Sequence, residues 1–256
     1  MGYIVDIYRF TNSIEYEFKW KGKYGAKGEK RAARVKATPE QIKKQNQKNK
    51  EKYTRRMIKL NFSRGDLWCT FLYPKGTRKP VQEVKDDFKR FLRKIRTVYK
   101  ARDADLKFIY RIEIGSKGGI HIHMLCNQIE GSPPIDMVIQ EMWKHGRVNF
   151  QRFGADEDDC EKLANYIVKQ PSDEAQKKIE ELYKGDIKAL LAYSSSRNLI
   201  RPAPERKEYH RWTIKKILEN GIKPTKGYQV KKDTVHSGIN PYTGMSYLHY
   251  TEVKGG

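Results

Sequence analysis

Two histidines stand two residues apart in the segment Ile120–Cys126. If this segment is a β-strand, alternate residues point to the same face, so His121 and His123 project together. The other face is apolar and consists of Ile120, Ile122, Met124 and Cys126. Two imidazoles on one face of a strand can bind a divalent metal ion. The alternative is a pair of half-buried histidines satisfied by neighbouring groups.

The preceding apolar segment, Leu106–Ile114, can add a carboxylate to the same site. Its even-numbered residues are all apolar, whereas Arg111 and Glu113 lie on the other side of the predicted strand. If the apolar faces of both strands cover one core, Glu113 faces the histidines, and the paired residue numbers sum to 234 or 236. One carboxylate and two imidazoles suit Mn²⁺ or Mg²⁺. Zinc would usually add a cysteine ligand, and Cys126 faces the other way.

Tyr166 is the candidate nucleophile. It lies in the predicted helix Asp158–Gln170, on the flank of a buried stripe, and Lys169 follows one turn later. The alternative is an amphipathic tyrosine at the edge of a core. The combination of a hydroxyl nucleophile, a nearby cation and an upstream metal platform favours a catalytic tyrosine.

A third candidate is the polar segment 194–202, which holds three consecutive serines followed by Arg197 and Arg201. Hydroxyl groups and arginines can bind phosphate. A polar loop between helices explains the same composition equally well.

The charge of the chain points to a polyanion as partner. The 256 residues carry a formal net charge of +22, and the sequence pI is about 9.7. Between Lys19 and Lys59 there are sixteen basic and three acidic residues. This segment predicts either an arm that follows a phosphate backbone or a solvated helix face. Its candidate DNA contacts are Lys43, Lys44, Arg55 and Arg56.

From Asp66 onward the pattern predicts a compact α+β domain. Apolar periodicity indicates strands at Leu67–Tyr73, Leu106–Ile114, Ile120–Cys126 and Arg147–Phe153, and helices at Val81–Val98, Ile135–Trp143 and Asp158–Gln170. This order is typical of an antiparallel split βαβ, ferredoxin-like sheet with helices on one side. Outside it, the sequence predicts a hairpin (Ile4–Phe10 and Ile14–Trp20) and helices at Pro39–Leu60, Ser172–Lys184 and Glu205–Asn220.

The order of these motifs resembles a known family. Gly-Gly-Ile-His121-Ile-His123-Met followed by Tyr166-Ile-Val-Lys169 is similar to the two central motifs of the HUH endonucleases, in particular the rolling-circle replication initiators (Rep proteins) of phages, plasmids and related bacterial elements. Leu67–Tyr73 resembles their first motif, and Glu113 stands where similar Rep proteins carry an acidic metal ligand. The resemblance extends from about Asp66 to Arg201.

The resemblance implies a nickase that cuts and rejoins single-stranded DNA at a replication origin. His121, His123 and Glu113 would hold the Mn²⁺ or Mg²⁺ ion, and Tyr166 would form a 5′-phosphotyrosine while freeing a 3′-OH. Lys169 would stay near the tyrosine and the phosphate. Further DNA contacts are expected at Arg111, Lys117 and Arg197.

Two other functions share parts of this pattern. A single-tyrosine HUH transposase has the histidine motif and a downstream tyrosine, and a non-catalytic ferredoxin-like nucleic-acid-binding module would explain the charge and the fold. A conjugative relaxase is disfavoured because its tyrosine would lie upstream of the histidines.

The sequence also predicts three regions: a hairpin with a basic arm (1–65), an endonuclease domain (66–201) and a helical accessory region (202–256). No apolar run is long enough to span a membrane, and no secretory signal is evident. Three cysteines without CxxC spacing are typical of a reduced, cytoplasmic protein, here in a bacterial host. We expect a host helicase and polymerase as partners, since there is no Walker A motif.

Overall fold

The computed structural model describes residues 3–20, 32–77, 79–115, 119–170, 177, 192–209 and 214–255. The chain forms two compact units, one of Met1–Asn46 with Arg201–Gly256 and the other of Gln47–Ile200. Each unit contains an antiparallel sheet that has five strands within the described residues. The predicted α+β fold class is confirmed.

The unit Gln47–Ile200 carries the candidate residues. Its strands are β3 (Leu67–Leu72), β4 (Phe108–Ile114), β5 (Ile120–Cys126), β6 (Val148–Arg152) and β7 (Ser194–Ser195). Its helices are α2 (Val81–Ala101), α3 (Ile135–Met142), α4 (Glu157–Val168) and the C-terminal part of α1 (Pro39–Asn61). The strand order is β6-β3-β5-β4-β7, which places the two-histidine strand β5 at the centre of the sheet. The order of elements predicted between Asp66 and Gln170 is confirmed.

Helices cover both faces of this sheet, and the prediction that they pack on one side is wrong. One face packs on α2 and α3 through residues such as Phe71, Phe88 and Ile122. The other face holds Trp68, Ile109 and Leu125, which pack on α1 and α4. These three side chains lie on the nominally polar face of their strands, and they supply the apolar surface that a second layer of helices needs.

Asp87 anchors the first turns of α2 by a buried network. Its side chain is 3% exposed and accepts hydrogen bonds from the Tyr73 hydroxyl (2.9 Å), Lys79 Nζ (2.7 Å) and Arg90 (2.5 Å). Burial opposes ionisation of the carboxyl, but the bonds from Lys79 and Tyr73 outweigh it and lower its pKa below the ordinary value. The carboxylate therefore stabilises the fold while it is charged.

The other unit joins the two ends of the chain in one sheet. Its strands are β1 (Tyr3–Arg9), β2 (Ser13–Trp20), β8 (Glu205–Tyr209), β9 (Tyr228–Asn240) and β10 (Met245–Lys254), in the order β8-β1-β2-β10-β9. The predicted hairpin is confirmed. The sequence assigned the segments 1–65 and 202–256 to separate regions, whereas strands from both lie in this sheet. Asp6 of β1 lies opposite Arg206 of β8, which donates two hydrogen bonds to its carboxylate at 2.6 and 3.0 Å.

The C-terminal region is mainly β-structure, and the prediction of a helical region is wrong for the residues described. The stretch Glu205–Asn220 splits into strand β8 and a short helix α5 (Ile214–Glu219). β8 is exposed and polar, so its sequence has no alternation to reveal it, and pairing with β1 determines its conformation. The predicted helix Ser172–Lys184 lies almost wholly outside the described residues. No helix in the described part of the chain is long and apolar enough to cross a bilayer.

We expect Asp87→Asn to lower the free energy of unfolding by about 2 kcal/mol at pH 7, because Lys79 and Tyr73 lose a charged acceptor. A carboxyl with a lowered pKa in the folded state stabilises above its ordinary pKa, and this contribution disappears as the pH falls through the lower value. The difference between the two proteins should therefore narrow below about pH 4. Urea unfolding at pH 7 and pH 3 measures both effects.

Asp86→Asn is the matched control, since the side chain of Asp86 is 43% exposed. It should change stability by less than about 0.5 kcal/mol. A loss for Asp87→Asn that is the same at both pH values would contradict the role given to its charge.

Candidate active site

The register of the β4–β5 hairpin brings the predicted residues to one face. Glu113 pairs with His121 and Arg111 pairs with His123, so the residue numbers sum to 234, as predicted. Thr70 of β3 pairs with His123 on the opposite side of β5. Glu113, His121 and His123 therefore share the face that is covered by α1 and α4.

Helix α4 delivers Tyr166 to this face. The helix begins after Asp156, whose side chain accepts a hydrogen bond from the backbone N–H of Asp159, and it buries a stripe that includes Cys160, Ala164 and Ile167. The stripe packs on Ile109, Leu125 and other residues of the sheet. Tyr166 lies on the flank of this stripe and reaches side chains of β4 and β5.

The Tyr166 hydroxyl contacts two of the predicted metal ligands. It donates a hydrogen bond to Glu113 Oε2, and it lies 2.9 Å from His123 Nε2. The same two partners, His123 Nε2 and Glu113 Oε2, are 3.2 Å apart. A phenol, a carboxylate and an imidazole thus meet at one point on the sheet.

His123 is held from two further directions that the sequence analysis did not identify. Thr70 Oγ1 lies 3.2 Å from His123 Nδ1, and the Trp68 ring stacks on the imidazole with centroids 5.6 Å apart. Trp68 also meets the Tyr166 ring edge-on at 5.8 Å. With Nδ1 occupied by Thr70, Nε2 is the nitrogen that faces Glu113 and Tyr166. The alternation of β3, which puts Trp68 and Thr70 on one face, was the available signal.

The charges around the phenol oppose its ionisation. Burial, the hydrogen bond to Glu113 and the negative charge of Glu113 raise the pKa of Tyr166 above its ordinary value. The hydrogen bond from His123, with that from Tyr166, lowers the pKa of Glu113 to about 2 despite its burial. Burial and the neighbouring His123 lower the pKa of His121. Near neutral pH the phenol keeps its proton and Glu113 is a carboxylate.

Arg111 binds the backbone at the C-terminal end of α4, where Tyr166 lies. It is 5% exposed and donates hydrogen bonds to the backbone carbonyls of Tyr166 (2.6 Å), Ile167 (3.1 Å) and Lys169 (3.1 Å). Its guanidinium also lies 6.0 Å from the Tyr166 ring centroid, and its positive charge partly offsets the rise in the pKa of the phenol. A cation that caps carbonyls at the C-terminal end of a helix is favourably placed. Arg111 is therefore buried and holds the backbone at Tyr166. Its burial disfavours the predicted contact of Arg111 with DNA.

Lys169 follows the last residue of α4 and is exposed. With Tyr166 it lines a cleft of about 460 Å³, whose other lining residues are Gln47, Glu51, Lys162, Asn165 and Gln170. This volume is within the range of small-ligand sites. The structure thus brings Lys169 beside the tyrosine, and its action on the phenol oxygen stays a prediction.

Glu113 and His123 are two donors that fit a hard divalent cation. Ligands about 2.1 Å from a metal and at right angles to each other are about 3 Å apart, close to the separation of Glu113 Oε2 and His123 Nε2. The imidazole of His121 lies on the same face, with its centroid 6.2 Å from that of His123. Among the described residues, no three His, Cys, Asp or Glu side chains are gathered as a metal cluster. Two of the three predicted ligands are therefore adjacent, and His121 is not gathered with them.

The remaining candidate DNA contacts differ in their accessibility. Lys43, Lys44 and Arg197 are exposed, Arg55 is half-buried and Arg56 is 6% exposed. Lys117 lies outside the described residues. The exposed three remain candidates, whereas burial disfavours Arg56.

We expect Arg111→Met to loosen the last turn of α4, because three carbonyls lose their donor while the side-chain volume is nearly kept. The melting temperature should fall by several degrees, which corresponds to a loss of about 2 kcal/mol. Amide hydrogen exchange should quicken for residues 164–170 more than for the centre of β5.

Arg64→Met, a substitution of an exposed arginine, provides the control and should leave both readouts unchanged. If exchange in residues 164–170 stayed at the wild-type rate in Arg111→Met, Arg111 would not be the residue that holds this turn.

Comparison with known proteins agrees with the resemblance. Residues 66–171, which include β3 to α4, match the family model described as replication-associated protein ORF2/G2P. No curated protein and no solved structure matches the chain. The segment that carries Glu113, His121, His123 and Tyr166 is thus matched to the replication-associated protein ORF2/G2P family, which confirms for this segment the relationship to replication initiators that its motifs predicted.

Proposed function

We propose that this protein nicks and rejoins single-stranded DNA through a 5′-phosphotyrosine at Tyr166 and so initiates rolling-circle replication. The observation that carries the proposal is the contact of the Tyr166 hydroxyl with Glu113 and His123, within a segment that matches replication-associated proteins. One hydrogen-bond partner would satisfy a tyrosine hydroxyl at the edge of a core, whereas a carboxylate and an imidazole both contact the Tyr166 oxygen.

In the proposed reaction the Tyr166 oxygen attacks the phosphorus of a phosphodiester. The new O–P bond replaces the bond from phosphorus to O3′, which leaves as a 3′-hydroxyl after taking up a proton. The phenol proton is released to water as the O–P bond forms, and the positive charge of Arg111 favours its release. Because the phosphodiester energy is kept in the phosphotyrosine bond, attack by a 3′-hydroxyl reverses the step and joins strands.

Glu113, His121 and His123 would hold the divalent metal ion, Mn²⁺ or Mg²⁺. When bound, the ion would supply Lewis-acid polarisation of the scissile phosphate. Ionised Glu113 retains the charge needed for this role near neutral pH, since its pKa is about 2. Binding of the ion by all three residues would require the His121 imidazole to move closer to Glu113 and His123.

The surroundings of Tyr166 support a single nucleophile. Helix α4 contains no second tyrosine: Lys162 stands one turn before Tyr166, and Gln170, four residues after it, lies beyond the end of the helix. We therefore do not propose transfer of the strand between paired tyrosines. Lys162 and Lys169 line the cleft beside Tyr166, where positive charge would favour a phosphate strand. A host helicase would unwind the template and a host polymerase would extend the 3′-hydroxyl.

We expect Tyr166→Phe to form no covalent DNA adduct, because the ring remains but the attacking oxygen is lost. The variant should stay folded, with a stability loss of about 1 kcal/mol for the missing hydrogen bonds. The measurement is incubation with a library of single-stranded oligonucleotides in Mn²⁺, followed by denaturing electrophoresis and peptide mapping of the adduct.

Tyr193→Phe is the matched control, since Tyr193 also has a half-buried hydroxyl, which accepts a hydrogen bond from Thr54 at 3.3 Å. It should form the adduct at the wild-type rate. A nucleotide mapped to Tyr193, to Tyr183 or to any other residue would refute the assignment. The absence of any adduct with the wild-type protein would favour a non-catalytic binding module.

We expect His121→Ala and His123→Ala to abolish cleavage while single-stranded DNA binding stays within a few-fold of wild type, because phosphate contacts elsewhere supply most of the affinity. Binding of Mn²⁺, followed by its electron paramagnetic resonance signal without DNA, should also weaken by at least tenfold.

The exposed His236 of the other unit gives the control His236→Ala, which should change neither measurement. Cleavage by His121→Ala at the wild-type rate in Mn²⁺ would remove His121 from the proposed metal site.

A further inference from the structure

A wide groove of the unit Gln47–Ile200 lies away from Tyr166. It has a volume of about 1240 Å³, and its walls are one side of α2 and the segment 194–198. Its floor includes Phe108 and Tyr110 of β4. These side chains belong to the face of β4 that packs on α2, whereas Arg111 and Glu113 belong to the other face. The sheet therefore separates this groove, called here the α2 groove, from the candidate active site.

The α2 wall is a row of four exposed cations. Lys89, Arg93, Arg96 and Lys100 follow one another at intervals of four, three and four residues, so they share one side of the helix. At 1.5 Å per residue the row is about 16 Å long. The last four turns of α2 contain no acidic residue after Asp87.

The opposite wall is fixed by hydrogen bonds to β4. Ser196 Oγ accepts from the backbone N–H of Phe108 (3.1 Å), and the backbone N–H of Ser196 donates to the Phe108 carbonyl (2.9 Å). Asn198 Nδ2 donates to the Leu106 carbonyl at 3.3 Å. These bonds hold the exposed Arg197 between them at the rim of the groove.

Three of the cations have no carboxylate partner within the described part of the chain. Arg93, Arg96 and Arg197 form no ion pair there, although Arg96 lies over the Phe108 ring at 5.5 Å. Lys89 and Lys100 are paired with Asp86 and Asp105, whose side chains are 43% and 60% exposed. Cations that served only to solvate α2 would not require Arg197 on the opposite side of the groove.

We propose that the α2 groove binds the phosphate backbone of duplex DNA, in addition to the single strand assigned to Tyr166. The volume exceeds that of most small-ligand pockets, and exposed arginines suit phosphate oxygens. Proteins that hold single strands present aromatic rings for base stacking, but here Phe108 is 3% exposed and Tyr110 is half-buried under the cations. Contacts of this kind position a duplex without reading its sequence.

The test uses the full chain and a labelled duplex of mixed sequence about two helical turns long, with a single strand of the same sequence as second probe. In the variant Arg93→Gln/Arg96→Gln/Arg197→Gln, duplex affinity should fall by at least tenfold at about 100 mM salt. The slope of log affinity against log salt concentration should decrease by about 2–3, since each lost phosphate contact contributes about 0.9. Affinity for the single strand should change by less than threefold.

Two matched variants keep the result interpretable. Arg93→Lys/Arg96→Lys/Arg197→Lys preserves the charge and should retain the wild-type slope. Arg64→Gln/Lys75→Gln/Lys144→Gln removes three exposed cations outside the groove and should lower the slope by less than 1. If the triple glutamine variant in the groove were unfolded, Arg93→Gln and Arg197→Gln, one from each wall, should each remove about 0.9.

Equal slopes for the groove and control variants would overturn the proposal, and so would a loss confined to the single-stranded probe. Its failure is distinguishable from that of the nickase. A wild-type chain that forms no adduct while the groove variant loses duplex binding would refute the nickase alone. Adduct formation with unchanged duplex binding by the groove variant would refute the groove alone.

Discussion

The pairing of Glu113 with His121 across β4 and β5 is the constraint on which the candidate site depends. Between these residues and the next row, Ile112 pairs with Ile122, and both are buried in the core on the far side of the sheet. A slip of one residue would turn Glu113 and Arg111 into that apolar core. The packing of Ile112 and Ile122 in the core therefore fixes the register that brings Glu113, His121 and His123 to one face. Partial burial of these polar groups costs free energy, and their polar contacts alone would not readily offset it.

On this face of the sheet, buried and half-buried charges and dipoles offset one another. Arg111 offsets the carbonyl end of α4, Glu113 receives the phenol, and His123 joins the carboxylate to Thr70. Each group reduces the cost of burying the next, since an unpaired charge in this environment would be expensive. The consequence is a tyrosine held by its backbone on one side and by its oxygen on the other. Such preorganisation limits the number of orientations a nucleophile must search.

Period-two and helical patterns predicted part of the site. Alternation assigned Glu113, His121 and His123 to one face, and the helical pattern placed Tyr166 on the flank of a buried stripe. The relation of Tyr166 to the histidines came from the family resemblance of the motifs. The role of Arg111 could not be read in this way, because its partners are backbone carbonyls some fifty-five residues further along the chain. Trp68, Ile109 and Leu125 broke the expected polar pattern, so the second layer of helices was missed. Strand β8 was missed because its five residues are all exposed.

The division of the chain also has a consequence for folding during synthesis. The unit Gln47–Ile200 is one continuous stretch, placed between the two halves of the other unit. Strand β2 pairs with β10, so some 225 further residues must be synthesised after the hairpin β1–β2 before its sheet can be completed. Loop closure over such a distance is slow compared with the local pairing of β4 and β5. On the ribosome the unit that carries Tyr166 can therefore fold first, while an unpaired edge of β2 remains open to chaperones or to wrong partners.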